Sequence, residues 1–245
     1  MNKVAVVTGS SKGIGFAIAE KLLSLNYKVY GISRSKTKIN NLNLVNLNFD
    51  LTNFESIEKL VSQIKEDKID VLVNNAGTAI IQDSMEFTKD AFDETFALNF
   101  IVPIQLTQSL LKKISNSTVI NISSLSDRIP ENSVAMYCAS KAALNIYFDS
   151  ISTKYNEIRI LHILPSYVDT PLLHRLVDEE GWEIEWNKVL KPDHIADLVV
   201  RLLGKSDVPN NSKIMALTNY LLEDRDFKEK LFVYNADDKS LEKIS

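Results

Sequence analysis

Apolar and polar positions alternate along this chain with two different periods. Short apolar runs, of the kind that form strands buried on both faces, occur at Val4–Val7, Val29–Ser33, Val45–Leu51, Ile69–Val73, Ser117–Ser124 and Ile158–Pro165. Between them the spacing becomes helical. Ile14, Ile18, Leu22 and Leu25 follow the first run, and Phe54, Ile57, Leu60 and Ile64 follow the third. A long amphipathic stretch after the fourth carries Phe92, Phe96, Val102, Leu106 and Leu110. Asn99 and Pro103 interrupt it; the proline frees a helix carbonyl, beside which an asparagine can hold a water. Six strands alternating with helices predict an α/β fold: a doubly wound parallel sheet in a three-layer sandwich with right-handed crossovers, as a single domain over 1–245.

The first strand runs into Thr8-Gly9-Ser10-Ser11-Lys12-Gly13-Ile14-Gly15, where three of the chain's seven glycines lie. Gly9 permits a sharp exit from the strand, Gly13 lets the backbone approach a pyrophosphate, and Gly15 lets helix and sheet pack closely. The free amides and positive dipole end of the new helix suit an anion. This is a Rossmann-type dinucleotide signature rather than a P-loop, which would end in Gly-Lys-Ser/Thr. An acid at the end of the second strand would take the ribose diol of NAD; this chain has Ser33 and Arg34 there. Arg34 together with Lys12 suits the 2′-phosphate of NADP. Asp50, closing the third strand, can accept from an adenine amino group, cap the helix that follows, or do both. The asparagines of Asn74-Asn75-Ala76-Gly77 follow a buried strand and need partners, so they are expected to brace neighbouring strands and the cofactor site.

Composition narrows the function classes. Hydrophobic residues make up 45% and charged residues 24%, enough for a sizeable core. A net charge of −4 argues against nucleic acid as the main partner. One cysteine, Cys138, allows no internal disulfide and fits a reducing cytoplasm. No apolar run is long enough to span a bilayer, and a fold starting at Val4 leaves no room for a signal peptide.

The fifth strand ends in the hydroxyls Ser123 and Ser124, and a later helix holds Tyr137-Cys138-Ala139-Ser140-Lys141. Tyr137 and Lys141, four residues apart, share one helical face. A tyrosine pKa near 10 is too high for easy proton exchange at neutral pH, and a nearby ammonium is expected to lower it. The pair is therefore a candidate general acid/base. His162, inside the sixth strand, reads as a packed core residue.

Together these pieces resemble the short-chain dehydrogenase/reductase family, in the family's order, from Val4 to about Leu203. The resemblance implies that Gly9, Ser11, Lys12, Gly13, Ile14 and Gly15, with Arg34, Asp50, Leu51, Asn75, Ala76 and Gly77, line NADP(H). Tyr137, Lys141, Pro165, Val168 and Thr170 would lie at the nicotinamide end. Asn99, Ser124, Tyr137 and Lys141 fall on the family's catalytic tetrad. Ser124 is preferred over Ser123 because it stands thirteen positions before Tyr137, the family's usual spacing, and Ser123 would point to the other face of the strand. In the implied reaction the carbonyl takes hydride from the nicotinamide and a proton from Tyr137. Ser124 helps to stabilise the oxyanion, Lys141 tunes Tyr137 and holds the ribose, and Asn99 fixes a water of the proton path.

Three departures from the family pattern stand out. Ser166 replaces a usual glycine, and Leu125-Ser126-Asp127-Arg128 lacks the common small residue after the catalytic serine. Beyond Leu203 only Lys213–Leu217 reads as a strand, followed by an atypical charged tail over about 218–245 with Tyr220, Phe227, Phe232 and Tyr234. A substrate lid is expected over about 166–190; it carries Trp182, Trp186 and a run of acids read as a solvated face. The expectation is a cytoplasmic NADP(H)-dependent reductase of a small-molecule carbonyl or alcohol, forming a homodimer or homotetramer. The alternatives are an NAD-dependent alcohol dehydrogenase and a non-catalytic nucleotide sensor with the same fold.

Overall fold

The computed structural model describes residues 2–204, 207–218 and 231–244. Strand β1 (Val4–Thr8) lies inside a sheet ordered β3-β2-β1-β4-β5-β6-β7-β8-β9. The other strands are β2 (Lys28–Ser33), β3 (Leu44–Asn48), β4 (Val71–Asn74), β5 (Thr118–Ile122), β6 (Arg159–Pro165), β7 (Ser212–Leu217), β8 (Leu231–Asn235) and β9 (Leu241–Ile244). The pairs from β3 through to β8 are parallel, and β9 returns antiparallel to β8. Chain order reverses on the two sides of β1, which opens a crevice at the carboxyl ends of β1 and β4.

Strand periodicity sorts the core into two faces. Ala5, Val7, Val71 and Val73 bury against helices α1 (Gly13–Ser24) and α7 (Pro192–Gly204). Their neighbours Val4, Val6 and Leu72 bury on the other side against α2 (Ser56–Ser62), α4 (Val102–Ser109) and α5 (Ala135–Ser152). The three-layer parallel sandwich expected from the sequence is what forms.

Several boundaries differ from the sequence expectation. Helix α2 begins at Ser56, so Phe54 precedes it and is exposed, and Ile64 lies past its end although buried. Asp50 does not cap it: Glu55 holds the cap position, and Asp50 Oδ1 accepts from Thr52 N (3.0 Å) and Thr52 Oγ1 (2.7 Å) in a turn of its own. The long amphipathic stretch is α3 (Lys89–Phe96), a π-helical segment Ala97–Ile101 and then α4. Pro103, near the start of α4, has no N–H to give the Asn99 carbonyl, and the ladder widens there.

The larger correction concerns the tail. Residues read as a charged extension include β8 and β9, which lengthen the sheet beyond β7. Tyr234 is 1% exposed and packs in the first core with Ala216 and Tyr27, while Phe232 is half-buried against it. Tyr220 and Phe227 lie outside the described residues. Because β8 carries a core aromatic, Tyr234→Ala is expected to lower the unfolding free energy by about 3–5 kcal/mol in urea titration, the usual cost of emptying an aromatic core site. A loss below about 1 kcal/mol would mean that β8 adds no core.

Candidate active site

The glycine turn is fixed by β4. Asn75 Nδ2 donates to Thr8 O at 2.8 Å, and Thr8 Oγ1 accepts from the backbone N–H groups of Asn75 and Ala76, both at 2.9 Å. A methyl group on Gly9 would lie 2.7 Å from Asn75 Nδ2, and one on Gly15 would lie 2.4 Å from both Asn75 Nδ2 and Gly9 O. Gly9 (φ 69°) and Gly13 (φ 59°) also adopt left-handed backbone, so the turn requires glycine on two counts. The missing side chain at Gly15 lets the start of α1 pack closely against the ends of β1 and β4.

Helix α1 opens with no side chain capping it: Lys12, at the cap position, is extended and makes no cap hydrogen bond. Its first amides form a candidate anion site, and the buried Ser10 Oγ, which lies over Gly31 of β2, has no hydrogen-bond partner among the described residues. Ser11 and Ile14 are half-buried along this turn, and Lys12 is exposed. A pyrophosphate fits that donor set. Toward the adenosine side, Arg34 is exposed past β2 and Leu51 is buried. Asp50 is exposed, and its carboxyl is held below its ordinary range chiefly by the Thr52 hydroxyl and amide, with a smaller contribution from Arg34. Ser33 Oγ is committed to Ser35 O at 2.6 Å.

The candidate catalytic residues converge next to this crevice. Gly77 links the two halves, since a methyl there would lie 3.0 Å from Asn99 Oδ1 and 3.5 Å from Lys141 Nζ. Asn99, 1% exposed, has its side chain fully engaged: Oδ1 accepts from Thr78 N at 2.8 Å, and Nδ2 donates to Thr78 O at 2.8 Å and Ser140 Oγ at 3.0 Å. Lys141, 4% exposed, donates to Ile122 O at 2.9 Å and lies 5.6 Å from the centre of the Tyr137 ring. Tyr137 and Lys141 thus lie together on one side of α5, with Lys141 next to Gly77 and Tyr137 against the cluster of Ala79, Val134, Cys138 and Leu176. Ser124 Oγ accepts from Ser126 N at 3.1 Å, capping a short helical turn, and also reaches Tyr137.

The electrostatics differ from the sequence expectation. Burial pushes the Tyr137 hydroxyl up to about 12, and the Ser124 hydrogen bond only partly offsets it. Lys141 does not lower it, because the same desolvation brings the Lys141 ammonium down to about 8. Desolvation drives both groups toward their neutral forms.

The lid is stapled at its base. Val168 pairs with Leu190, with Asp169 N donating to Leu190 O (2.8 Å) and Leu190 N to Tyr167 O (2.9 Å). Between them α6 (Pro171–Glu180) starts at Thr170, whose Oγ1 accepts from Leu173 N at 3.3 Å. A methyl on Gly13 would lie 3.3 Å from Thr170 Cγ2, so the lid begins over the glycine turn. Pro165 is buried at the end of β6, and Ser166 takes the place of glycine without left-handed backbone. Trp182 packs toward Tyr137, whereas Trp186 is exposed and stacks on His174. The acids Asp178, Glu179, Glu183 and Glu185 are exposed, as a solvated face requires. His162 is fully buried, as expected. Thr8, Thr78 and Ser140 were missed from sequence; for Thr8 the available signal was a hydroxyl closing an otherwise apolar buried strand.

The chain is similar to known proteins over most of its length. The sequence model of the family described as short chain dehydrogenase matches residues 3–181. A tropinone reductase homologue of Arabidopsis thaliana is 30% identical over 198 residues, covering 74% of this chain and 73% of that protein. Benzil reductase ((S)-benzoin forming) of Bacillus subtilis is 27% identical over 241 residues, covering 88% of this chain and 98% of that protein. A solved short chain dehydrogenase family protein from Francisella tularensis superposes with a TM-score of 0.80 at 26% identity, covering 88% of this chain and 97% of that one.

The buried Lys141 has a signature in stability. The unfolded chain holds this proton to about 10.5 and the folded chain only to about 8, so the unfolded state binds more protons in that window and stability rises with pH across it. Tyr137 acts oppositely, lowering stability between about 10 and about 12. In cofactor-free protein the difference in unfolding free energy between wild type and Lys141→Met is expected to shift in favour of wild type by about 2 kcal/mol from pH 7.5 to 9.5. Parallel curves for the two proteins would mean that Lys141 is not desolvated.

Proposed function

The chain belongs to the short-chain dehydrogenase/reductase family of oxidoreductases, and we propose that it is an NADP-dependent reductase of a small carbonyl compound. The observation that carries this reading is the buried Lys141 grouped with half-buried Tyr137 and Ser124 beside an uncapped helix start and its glycine turn. When bound, NADPH supplies the hydride that reduces the carbonyl carbon. The turn from Gly9 to Gly15 holds the pyrophosphate, and Arg34 with Lys12 meets the 2′-phosphate, there being no acid at the end of β2 to take a bare diol. Asn75, Ala76, Gly77, Pro165, Val168 and Thr170 line the remaining length.

Tyr137 and Ser124 receive the carbonyl oxygen by hydrogen bonds, and Tyr137 gives it the proton. A hydroxyl held in neutral form by burial is ready to donate, and charge developing on the substrate oxygen is stabilised strongly in a desolvated site. Lys141, whose ammonium releases its proton readily, replenishes Tyr137. The Asn99 side chain is spent on Thr78 and Ser140, so its backbone carbonyl, to which Pro103 has no N–H to give, holds the water that leads onward to solvent.

Tyr137→Phe is expected to lower kcat by about 10²–10⁴, the usual worth of a positioned acid, while the NADPH dissociation constant changes by less than about threefold. Undiminished turnover would remove Tyr137 from the reaction. Titration of both cofactors is expected to show NADPH binding at least about tenfold tighter than NADH, with Arg34→Ala erasing most of the difference. Equal affinities would overturn the NADP assignment.

A further inference from the structure

The wall beside Tyr137 is apolar, and the lid supplies much of it. Leu176 of α6 is buried with Ala79, Val134 and Cys138, and Leu172 and Trp182 pack on the same cluster together with Tyr137 itself. Trp182 also meets the Tyr167 ring at 6.2 Å between centroids. The half-buried members of this cluster, Ile81, Leu172 and Trp182, give it an apolar outer face beside Tyr137, which suits a flat apolar group.

Charge around it points the same way. Each lid side chain able to carry positive charge is paired with a lid carboxylate: Arg175 with Glu179 (3.8 Å), Lys188 with Glu185 (2.7 Å) and His174 with Asp169 (2.7 Å). Arg175 is further tied to Ala79 O at 2.5 Å. Across the mouth, Arg128 faces Asp127 at 3.5 Å. These cations are already balanced and offer a substrate carboxylate little.

Glu131 is placed differently. Its Oε1 accepts from the Tyr167 hydroxyl at 3.1 Å, and its carbonyl lies 3.9 Å from Cys138 Sγ, one residue from Tyr137. A neutral partner fixes this carboxylate at the rim without cancelling its charge. Its field reaches the reacting end of the site, where it adds to the effect of burial in raising Tyr137 and Cys138.

We infer that this site selects uncharged carbonyl compounds bearing an aryl-sized apolar group, and that Glu131, held by Tyr167, is the residue that turns anions away. The inference rests on the reductase reading above and adds to it a substrate class and a specificity residue.

Methyl phenylglyoxylate and the phenylglyoxylate anion offer the same ketone with and without a charge, and butane-2,3-dione offers a carbonyl with no aryl group. With NADPH at pH 7.5, kcat/KM for the ester is expected to exceed that for the anion by at least about tenfold, and that for the dione by a similar factor. Glu131→Gln is expected to narrow the ester-to-anion ratio at least about threefold, mainly through KM for the anion. A packing defect would lower both compounds alike, so an unchanged ratio removes Glu131 from the assignment. Trp182→Ala is expected to raise KM for the ester more than for the dione. A wild type that prefers the anion, or the dione, overturns the substrate class and leaves the reductase reading standing. If NADPH binds and none of the three is reduced, the reductase reading fails instead. Quenching of tryptophan fluorescence then decides the pocket: tighter binding of ester than of anion supports the inferred selectivity, and equal or reversed binding overturns it.

Discussion

Everything at this site depends on the contact between the ends of β1 and β4. The side-chain amide of Asn75 reaches across to the carbonyl of Thr8, and the hydroxyl of Thr8 takes two amides back. The resulting approach is so close that neither Gly9 nor Gly15 has room for a methyl group. Since the order of the sheet reverses at β1, this contact also sets the width of the crevice. Gly77, two residues past Asn75, then lies within reach of Asn99 and Lys141. One set of hydrogen bonds therefore fixes both the glycine turn and its place relative to Asn99 and Lys141.

A second constraint is the desolvation of Tyr137 and Lys141 on α5. Burying Lys141 costs stability at neutral pH, and the pair with Tyr137 does not recover it, since each is driven toward neutrality. The fold tolerates this because two apolar faces on a central sheet supply far more than one buried amine removes. On the proposed reading, the reaction is the reason to retain such a group. A proton that leaves readily, next to a hydroxyl that keeps its own, forms a directional pair, whereas a solvated Tyr/Lys pair on a helix surface would exchange protons with bulk water.

Much of this was legible in the sequence because it is carried by local signals. Strand runs, the glycine turn and the Tyr137–Lys141 spacing each declare themselves within a few residues. What was not legible depends on distant partners. Asn99 stood out beside Pro103, but that its side chain would be consumed by Thr78 and Ser140 follows from how α5 packs against the π-helical segment. The direction of the Tyr137 shift was misjudged because spacing places a lysine nearby without saying that both groups are desolvated. Glu131 has no motif of its own, and its position becomes visible only when Tyr167, thirty-six residues later, reaches it. Strand β8 was hidden by composition: Leu231–Asn235 is a short apolar run in a charged tail, closed by the turn-forming Asn235-Ala236-Asp237-Asp238.

Two of the chain's departures from its family's pattern prove to be one structural feature. Leu125, which opens the loop that lacks the family's common small residue, buries with Leu164 of β6, Met215 and Leu217 of β7 and Val233 of β8. A small residue at 125 would leave a hole beneath the added strand, and without β8 the Leu125 side chain would lose part of its cover. The loop that follows Ser124 is thereby anchored to the far edge of the sheet. From the same loop Asp127 reaches back to Asn145 of α5 at 2.7 Å, which ties the candidate oxyanion residue to the helix that carries Tyr137 and Lys141. The atypical tail is in this sense part of the site's support: its first strand seats the residue that sets where Ser124 leaves β5.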